Sequence, residues 1–338
     1  MGHATRCIPI INELIRHDFE PIMASDGFAL QLLRKEFPKL ETLELPSYNI
    51  SYSKNPRKLR LKLLKGTPHI LKTIKKEQKA IAEFVKMTPI SGIISDNRFG
   101  VRHVDIPSVF VTHQLQVLSG NTTWLSTRIH QKIISKFNEC WIPDYASEKN
   151  LSGILGHVEN FDATLNYLGP LSRFEKQHLE TKYQLLVILS GPEPQRTYLE
   201  EKLFHELVNF NGHICFVKGV VENEQSITRY KNMSIYNYMT SVELETTINE
   251  SEVVLSRSGY TTIMDLAKLE KKAFFIPTPG QFEQEYLAEK LESEGIAPFC
   301  NQDEFCVKLL GQLKDYSGMK FKESHLNYKK LFSLFQSK

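Results

Sequence analysis

Cysteine is scarce in this 338-residue chain: Cys7, Cys140, Cys215, Cys300 and Cys306 are odd in number and never spaced C-x-x-C. That pattern argues against a disulfide framework or a thiolate metal site and predicts free, mostly buried thiols in a reducing cytoplasm. Long apolar runs are missing too. None approaches the roughly eighteen residues that a membrane-crossing helix needs, and no apolar segment of signal-peptide type opens the chain, which predicts no secretion signal. Repeats of short period are absent. Net charge is small, +3 at pH 7, so overall charge says little about partners.

What is present is an ordinary globular composition, 41% hydrophobic and 24% charged, in a chain long enough for two domains. Apolar runs of strand length alternate with helical patterns. In the first half the expected strands are 21–24, 43–45, 90–95, 108–112 and 139–142. The expected helices are 8–15, 28–37, 56–87 (with a break near Gly66-Thr67-Pro68) and 122–137. The chain begins with a polar turn, Met1 to Arg6, of the kind that normally follows a first strand, so either the true start lies upstream of Met1 or the first strand of this sheet is expected to be missing. The irregular stretch 161–173, with Gly169-Pro170, reads as a linker. The expected domains are therefore 1–163 and 164–338, with the last helix packing back on the first. The second half repeats the alternation through strands at 185–189 and 213–217, a short helix at 243–249, and helical patterns at 305–313 and 326–335.

Charge is unevenly spread. Lys54 to Lys79 holds ten Lys/Arg and one Glu, interleaved with Leu59, Leu61, Leu63, Leu64, Ile70, Leu71 and Ile74. An amphipathic basic segment suits an anionic membrane surface, and equally a long helix with a solvated face. Without interleaved aromatics it offers nothing for bases to stack on, so no nucleic-acid partner is expected.

The most informative stretch runs from Ser251 to Ala288. A short apolar run ends at Ser256-Arg257-Ser258-Gly259, a helical pattern follows, then a second apolar run, Ala273 to Ile276. A Pro/Gly loop, Pro277 to Gly280, then leads into a helix carrying Gln281, Gln284 and Glu285. Both turns would lie at the carboxyl ends of parallel strands, where open α/β sheets bind ligands. Arg257, Ser258, Gly259 and Thr261 would offer donors to a diphosphate at a helix N-terminus, and Asp265 an acceptor to a ribose diol. The plain alternative is a capped helix on a common scaffold. In the first half, Asp96-Asn97-Arg98 and Thr112-His113-Gln114 end two strands, so Asp96 or His113 would bind a second substrate or serve as base, with turn formation as the alternative.

These residues resemble the donor half of the GT-B glycosyltransferases of family 28, the MurG type, which place S/C-R-S/A-G before a helix bearing an acidic ribose ligand and follow it with a Pro-rich loop and a Gln-bearing helix. The resemblance implies two Rossmann-like domains facing across a cleft. It implies a nucleotide-sugar donor, UDP-linked, on the C-terminal half, and a glycan or lipid-linked acceptor on the N-terminal half. By position it assigns Asp265 to the ribose, where the family usually has Glu, and Gln284 with Glu285 to the sugar, where the family has paired Gln. Ser241, in the Thr240–Leu244 segment, would lie near the base and Gly191 near the diphosphate. Gly2-His3-Ala4-Thr5-Arg6 resembles the N-terminal G-H-x-x-R loop of the superfamily, which makes His3 the expected general base, Asp96 a second candidate, and Arg6, Asn97, Arg98 and His113 acceptor-side residues. No D-x-D triplet occurs, and neither a metal nor a cofactor is expected. Gly2 to Cys7 also resembles the G-H-x-x-R-C run of PseG-type UDP-sugar hydrolases, so a nucleotide-sugar hydrolase or epimerase is the alternative activity. A cytoplasmic protein, peripheral on the inner face of the membrane, is the expected location.

Overall fold

The computed structural model describes residues 2–48, 56–159, 161–220, 222, 224–321 and 326–336, the side chains of 56–68 excepted. The chain forms two compact units, Met1–Arg173 with Glu323–Lys338, and Phe174–Lys322. The first unit opens on α1 (Gly2–Arg16), followed by β1 (Met23–Ser25), α2 (Gly27–Glu36), β2 (Thr42–Glu44) and α3 (Pro56–Met87). Then come β3 (Ile93–Asp96), β4 (Ser108–Val111), α4 (Thr123–Ile134), β5 (Glu139–Ile142) and β6 (Thr164–Tyr167).

Two sequence expectations change here. The N-terminal polar turn is helix: α1 begins at Gly2 and passes through Pro9. Proline is at home in a first helical turn, which makes a start near Ile8 the natural reading, but packing extends the helix backwards. Ala4, Ile8 and Ile11 line one face and bury against Met23 and Leu33. The stretch 161–173 is not all linker, because β6 pairs in parallel with β5 from Glu139↔Thr164 to Ile142↔Tyr167. The division between units therefore falls at Arg173/Phe174 and not at 163/164. Helix α3 also runs unbroken past Gly66-Thr67-Pro68. Of the basic segment, Lys54 and the side chains of 56–68 lie outside the described residues.

The first unit's strands are all parallel, yet they form two sheets, β1-β2 and β3-β4-β5-β6. In a doubly wound order the strand that precedes α1 lies between the strands corresponding to β1 and β3. The sheet is split at that place, and among the described residues no strand pairs with the remaining edges of β1 and β3.

The second unit contains β7 (Tyr183–Ile188), α5 (Gln195–Leu207), β8 (Ile214–Val217), β9 (Ile227–Tyr230), β10 (Met233–Tyr236), α6 (Ser241–Asn249), β11 (Ser251–Ser256), α7 (Tyr260–Lys268), β12 (Lys272–Phe275) and α8 (Phe282–Ser293). One six-stranded sheet, ordered β12-β11-β7-β8-β10-β9, is parallel except at β9. β9 escapes the sequence reading because it is an edge strand exposed at every residue, without the alternation that marks a half-buried strand. The strands carry a core of Leu185, Val187, Leu255, Phe274 and Ile276 against Leu199, Leu203 and Leu207 of α5. Residues 307–315 form a 3₁₀ helix. The closing helix α9 (Tyr328–Phe332) belongs to the first unit, where Phe332 packs edge-on to His17 and Phe19 and meets Trp141.

Candidate functional site

Two groups of side chains carry chemistry, one in each unit. In the first, β3 and β4 end side by side in register, with Asp96 opposite Val111, so Asp96 and His113 leave the sheet at the same edge. Helix α1 lies over that edge. Residues three apart on a helix share a face, and His3 and Arg6 both reach Asp96. His3 Nδ1 lies 3.0 Å from Asp96 Oδ1. Arg6 grips the same carboxylate at both ends: its Nε donates to Oδ2 at 2.7 Å and its Nη2 donates to Oδ1. Its Nη1 donates to His113 Nδ1 at 3.2 Å, and the Cys7 thiol donates to Asp96 Oδ2 at 3.4 Å. Burial alone would raise the Asp96 carboxyl. The Arg6 charge, then His3 and the hydrogen bonds from both, outweigh it and hold the group well below the usual carboxylate range. The Cys7 thiol is pushed well up, by burial first and by the Asp96 charge second.

Exposure separates the roles. The His3 side chain is 55% exposed, that of Asp96 7% and that of Arg6 2%. With Asp96 ionised and able only to accept, the His3–Asp96 contact requires the Nδ1–H tautomer, which leaves the Nε2 lone pair for a reactant. Arg6 and His113, expected on the acceptor side, are buried and committed to this cluster. Arg98 is redirected altogether. It donates to Glu77 Oε1 at 2.7 Å and to the Pro46 carbonyl at 2.7 Å, and pairs with Asp26, which ties α3, α2 and the β2 end together. A buried carboxylate such as Glu77 must be paired, and that demand claims Arg98. Asn97 takes a left-handed backbone, φ 52°, donating its N–H to the Val111 carbonyl at 3.2 Å.

In the second unit the loops after β7, β11 and β12 meet, as adjacency of these three strands requires. Gly191 sits at φ 106°, in the region that favours glycine, and a Cβ there would stand 3.7 Å from Thr278 Oγ1. Ser258 is fully buried and its hydroxyl donates to the Gln284 carbonyl at 2.7 Å. Gln284 accepts from the Thr278 N–H at 2.9 Å and donates to Gln281 Oε1 at 2.7 Å, while Glu285 accepts from the Gly280 N–H at 2.8 Å. These three residues thus shape the 277–281 loop. Gly259 caps α7 with ordinary extended angles, φ −71°, and a Cβ added to it would meet nothing within 4 Å. Space, not φ, is what glycine provides there. Thr261 and Asp265 follow on α7, half-buried. Ser241 starts α6, whose N-terminus is held by a capping box between Thr240 and Glu243.

Arg257 departs from expectation. It is 1% exposed. Its Nη1 donates to the carbonyls of Ile276 and Pro277 at 3.1 and 2.9 Å, and its Nη2 to the Gln195 carbonyl at 2.9 Å and Gln302 Oε1 at 2.6 Å. Burial lowers its pKa to about 10. Its two Nη groups bind the β12 exit to the start of α5, while Nε is buried without a hydrogen-bond partner. Thr278, which the sequence reading passed over, has a buried hydroxyl without a hydrogen-bond partner facing Gly191. Its only sequence signal is its place in Pro277-Thr278-Pro279-Gly280.

The two α/β units have the GT-B fold. A glycosyltransferase of kitacinnamycin superposes with a TM-score of 0.66 at 12% identity, over 92% of this chain and 86% of that one. MurG of Acinetobacter baumannii superposes at 0.55 and 13%, over 94% and 90%. Within this class, residues 194–330 match the family model of the glycosyltransferase family 28 C-terminal domain. In sequence, the UDP-N-acetylglucosamine--N-acetylmuramyl-(pentapeptide) pyrophosphoryl-undecaprenol N-acetylglucosamine transferase of Buchnera aphidicola subsp. Schizaphis graminum is 24% identical over 236 residues, 67% of this chain. That match spans 61% of the relative's own length.

Proposed function

We propose that this protein transfers a hexose or N-acetylhexosamine from a nucleotide sugar, with UDP as the nucleotide, to an acceptor hydroxyl. The observation that carries this reading is the family 28 domain match, which covers the converging loops at Gly259 and Thr278 to Gln281 and the starts of α6, α7 and α8. Helix N-termini present unpaired N–H groups and a partial positive charge, which suits a diphosphate. Asp265 on α7 is the residue proposed for the ribose, and Gln281, Gln284 and Glu285 those that shape the sugar pocket. The relative's printed name, with a UDP-linked donor and a pyrophosphoryl-undecaprenol acceptor, supports a UDP-sugar and a lipid-linked or cell-envelope acceptor.

In the proposed reaction His3 Nε2 takes the proton of the acceptor hydroxyl. The hydroxyl oxygen forms a bond to the anomeric carbon, and the bond from that carbon to the diphosphate oxygen breaks with its electron pair. Asp96 stabilises the imidazolium that results. Charge leaving on the diphosphate is met by backbone N–H groups, in the manner of a preorganised oxyanion site.

Calorimetric titration of the full chain with UDP tests the reading, with saturable binding expected. Failure to bind UDP or any other nucleotide would overturn it. Incubation with a UDP-sugar and no acceptor separates transfer from hydrolysis: rapid stoichiometric release of free sugar would replace the transferase by the hydrolase. A peripheral place on the cytoplasmic face of a membrane belongs to the same proposal, supported by the exposed Lys72, Lys75, Lys76 and Lys79 of α3.

A further inference from the structure

We infer that Arg6 is a positioning residue that sets opposite tautomers on two histidines, making His3 a base at Nε2 and His113 a fixed N–H donor at Nε2. The inference deepens the proposed transfer reaction and rests on that reading for its catalytic meaning. Its structural content stands on hydrogen-bond polarity alone.

A guanidinium only donates. Arg6 Nη1 therefore donates to His113 Nδ1 at 3.2 Å, so Nδ1 must offer its lone pair and the neutral ring carries its proton on Nε2. A second proton on His113 would put a cation against a buried guanidinium. On its other side Arg6 spans both oxygens of Asp96. That bidentate grip keeps the carboxylate ionised and fixes its plane. The orientation turns Oδ1 towards His3 Nδ1 at 3.0 Å, and an ionised carboxylate only accepts, so His3 carries its proton on Nδ1. One side chain thus specifies both rings.

Around His3 the charged and titratable groups are Arg6 and Cys7 from α1, Asp96 from the end of β3 and His113 from the end of β4. Elements α2 and β1 contribute apolar Ala29, Leu33 and Met23 to the α1 interface. Arg6 is 2% exposed, which places it behind the reacting surface and makes it a poor ligand for an acceptor. A fixed tautomer matters because a base with its lone pair on the wrong nitrogen is inactive until the ring or the proton moves.

The test is long-range ¹⁵N–¹H NMR of the histidine side chains in the full-length protein at about pH 8.5, above the ordinary imidazole range. His3→Ala and His113→Ala serve to assign the signals. The wild-type protein is expected to show Nδ1–H at His3 and Nε2–H at His113; the opposite tautomer at either ring overturns the inference. Arg6→Gln is expected to lose both preferences, and to lower kcat about ten- to a hundredfold, less than the roughly 10²–10⁴-fold of a lost general base, with donor KM changed less than twofold. Arg6→Lys, whose single ammonium cannot span Asp96 and His113, loses at least one preference and stands in should Arg6→Gln not fold. Unchanged tautomers in the folded variant overturn the inference. Because the tautomers are read without turnover, an inactive wild-type protein with the expected spectrum would sink the transfer reading and leave the role of Arg6 intact.

Discussion

Whether a polar residue meets a reactant or serves the protein interior depends on what else needs it. His3 and Arg257 illustrate the two outcomes. His3 is exposed, makes one contact with Asp96 and is the residue whose loss should matter most for rate. His3→Ala is expected to reduce kcat by at least about a hundredfold while leaving the melting temperature nearly unchanged, as an exposed site implies. A combined turnover and thermal-shift assay checks both. Arg257 should behave in the opposite way. Arg257→Met strips partners from the carbonyls of Ile276, Pro277 and Gln195 and from Gln302. Leaving buried acceptors unsatisfied should cost about 2–4 kcal/mol in urea unfolding. Acidification gives a third expectation. The folded-state pKa values of Asp96 and Asp144 are depressed, so their contribution to stability is fully present above the unfolded value of about 4. It is lost as the pH falls from there through the folded values. Denaturant midpoints measured from pH 6 downwards should hold until about pH 4 and then fall.

At the scale of elements, turns and close approaches decide what the helices can do. Gly259 caps α7 with open space where a Cβ would stand. If a phosphate approaches the N–H groups of this turn, Gly259→Ala should weaken UDP binding about tenfold while hardly altering stability; equal affinity of the two proteins in calorimetry would remove the diphosphate from this turn. Gly92 marks a different constraint. A Cβ there would stand 2.1 Å from a ring carbon of Phe335, in the turn that follows α9. Gly92→Ala should therefore displace the C-terminal segment from the aromatic group of Phe19, Trp141 and Phe332. Tryptophan emission and protease sensitivity near the C-terminus would report the displacement.

For the whole molecule, the two units divide the proposed labour: the first holds a His–Asp pair at the ends of β3 and β4, the second a set of phosphate-type turns at the ends of β7, β11 and β12. The membrane reading belongs at this scale as well. Vesicles containing anionic lipid should retain the wild-type protein in flotation and release a variant with Lys72, Lys75 and Lys76 changed to Glu. Equal retention of both would count against α3 as the contact.

Sequence by itself determined the α/β alternation, the resemblance of the second unit to family 28 and the grouping of Asp96 with His113. These follow from local periodicity and from strand ends, which register places side by side in a parallel sheet. Tertiary structure alone decided the rest. It made Gly2 to Arg6 helical, because Ala4, Ile8 and Ile11 must bury together. It placed β6 in the presumed linker, because β5 has an edge to fill. It withdrew Arg257 and Arg98 from the surface, because buried carbonyls and Glu77 need donors more than solvent does. And it set Arg6 between Asp96 and His113, a contact across about a hundred residues of chain that no local pattern encodes, since hydrogen-bond demand in an interior is settled only when distant elements meet.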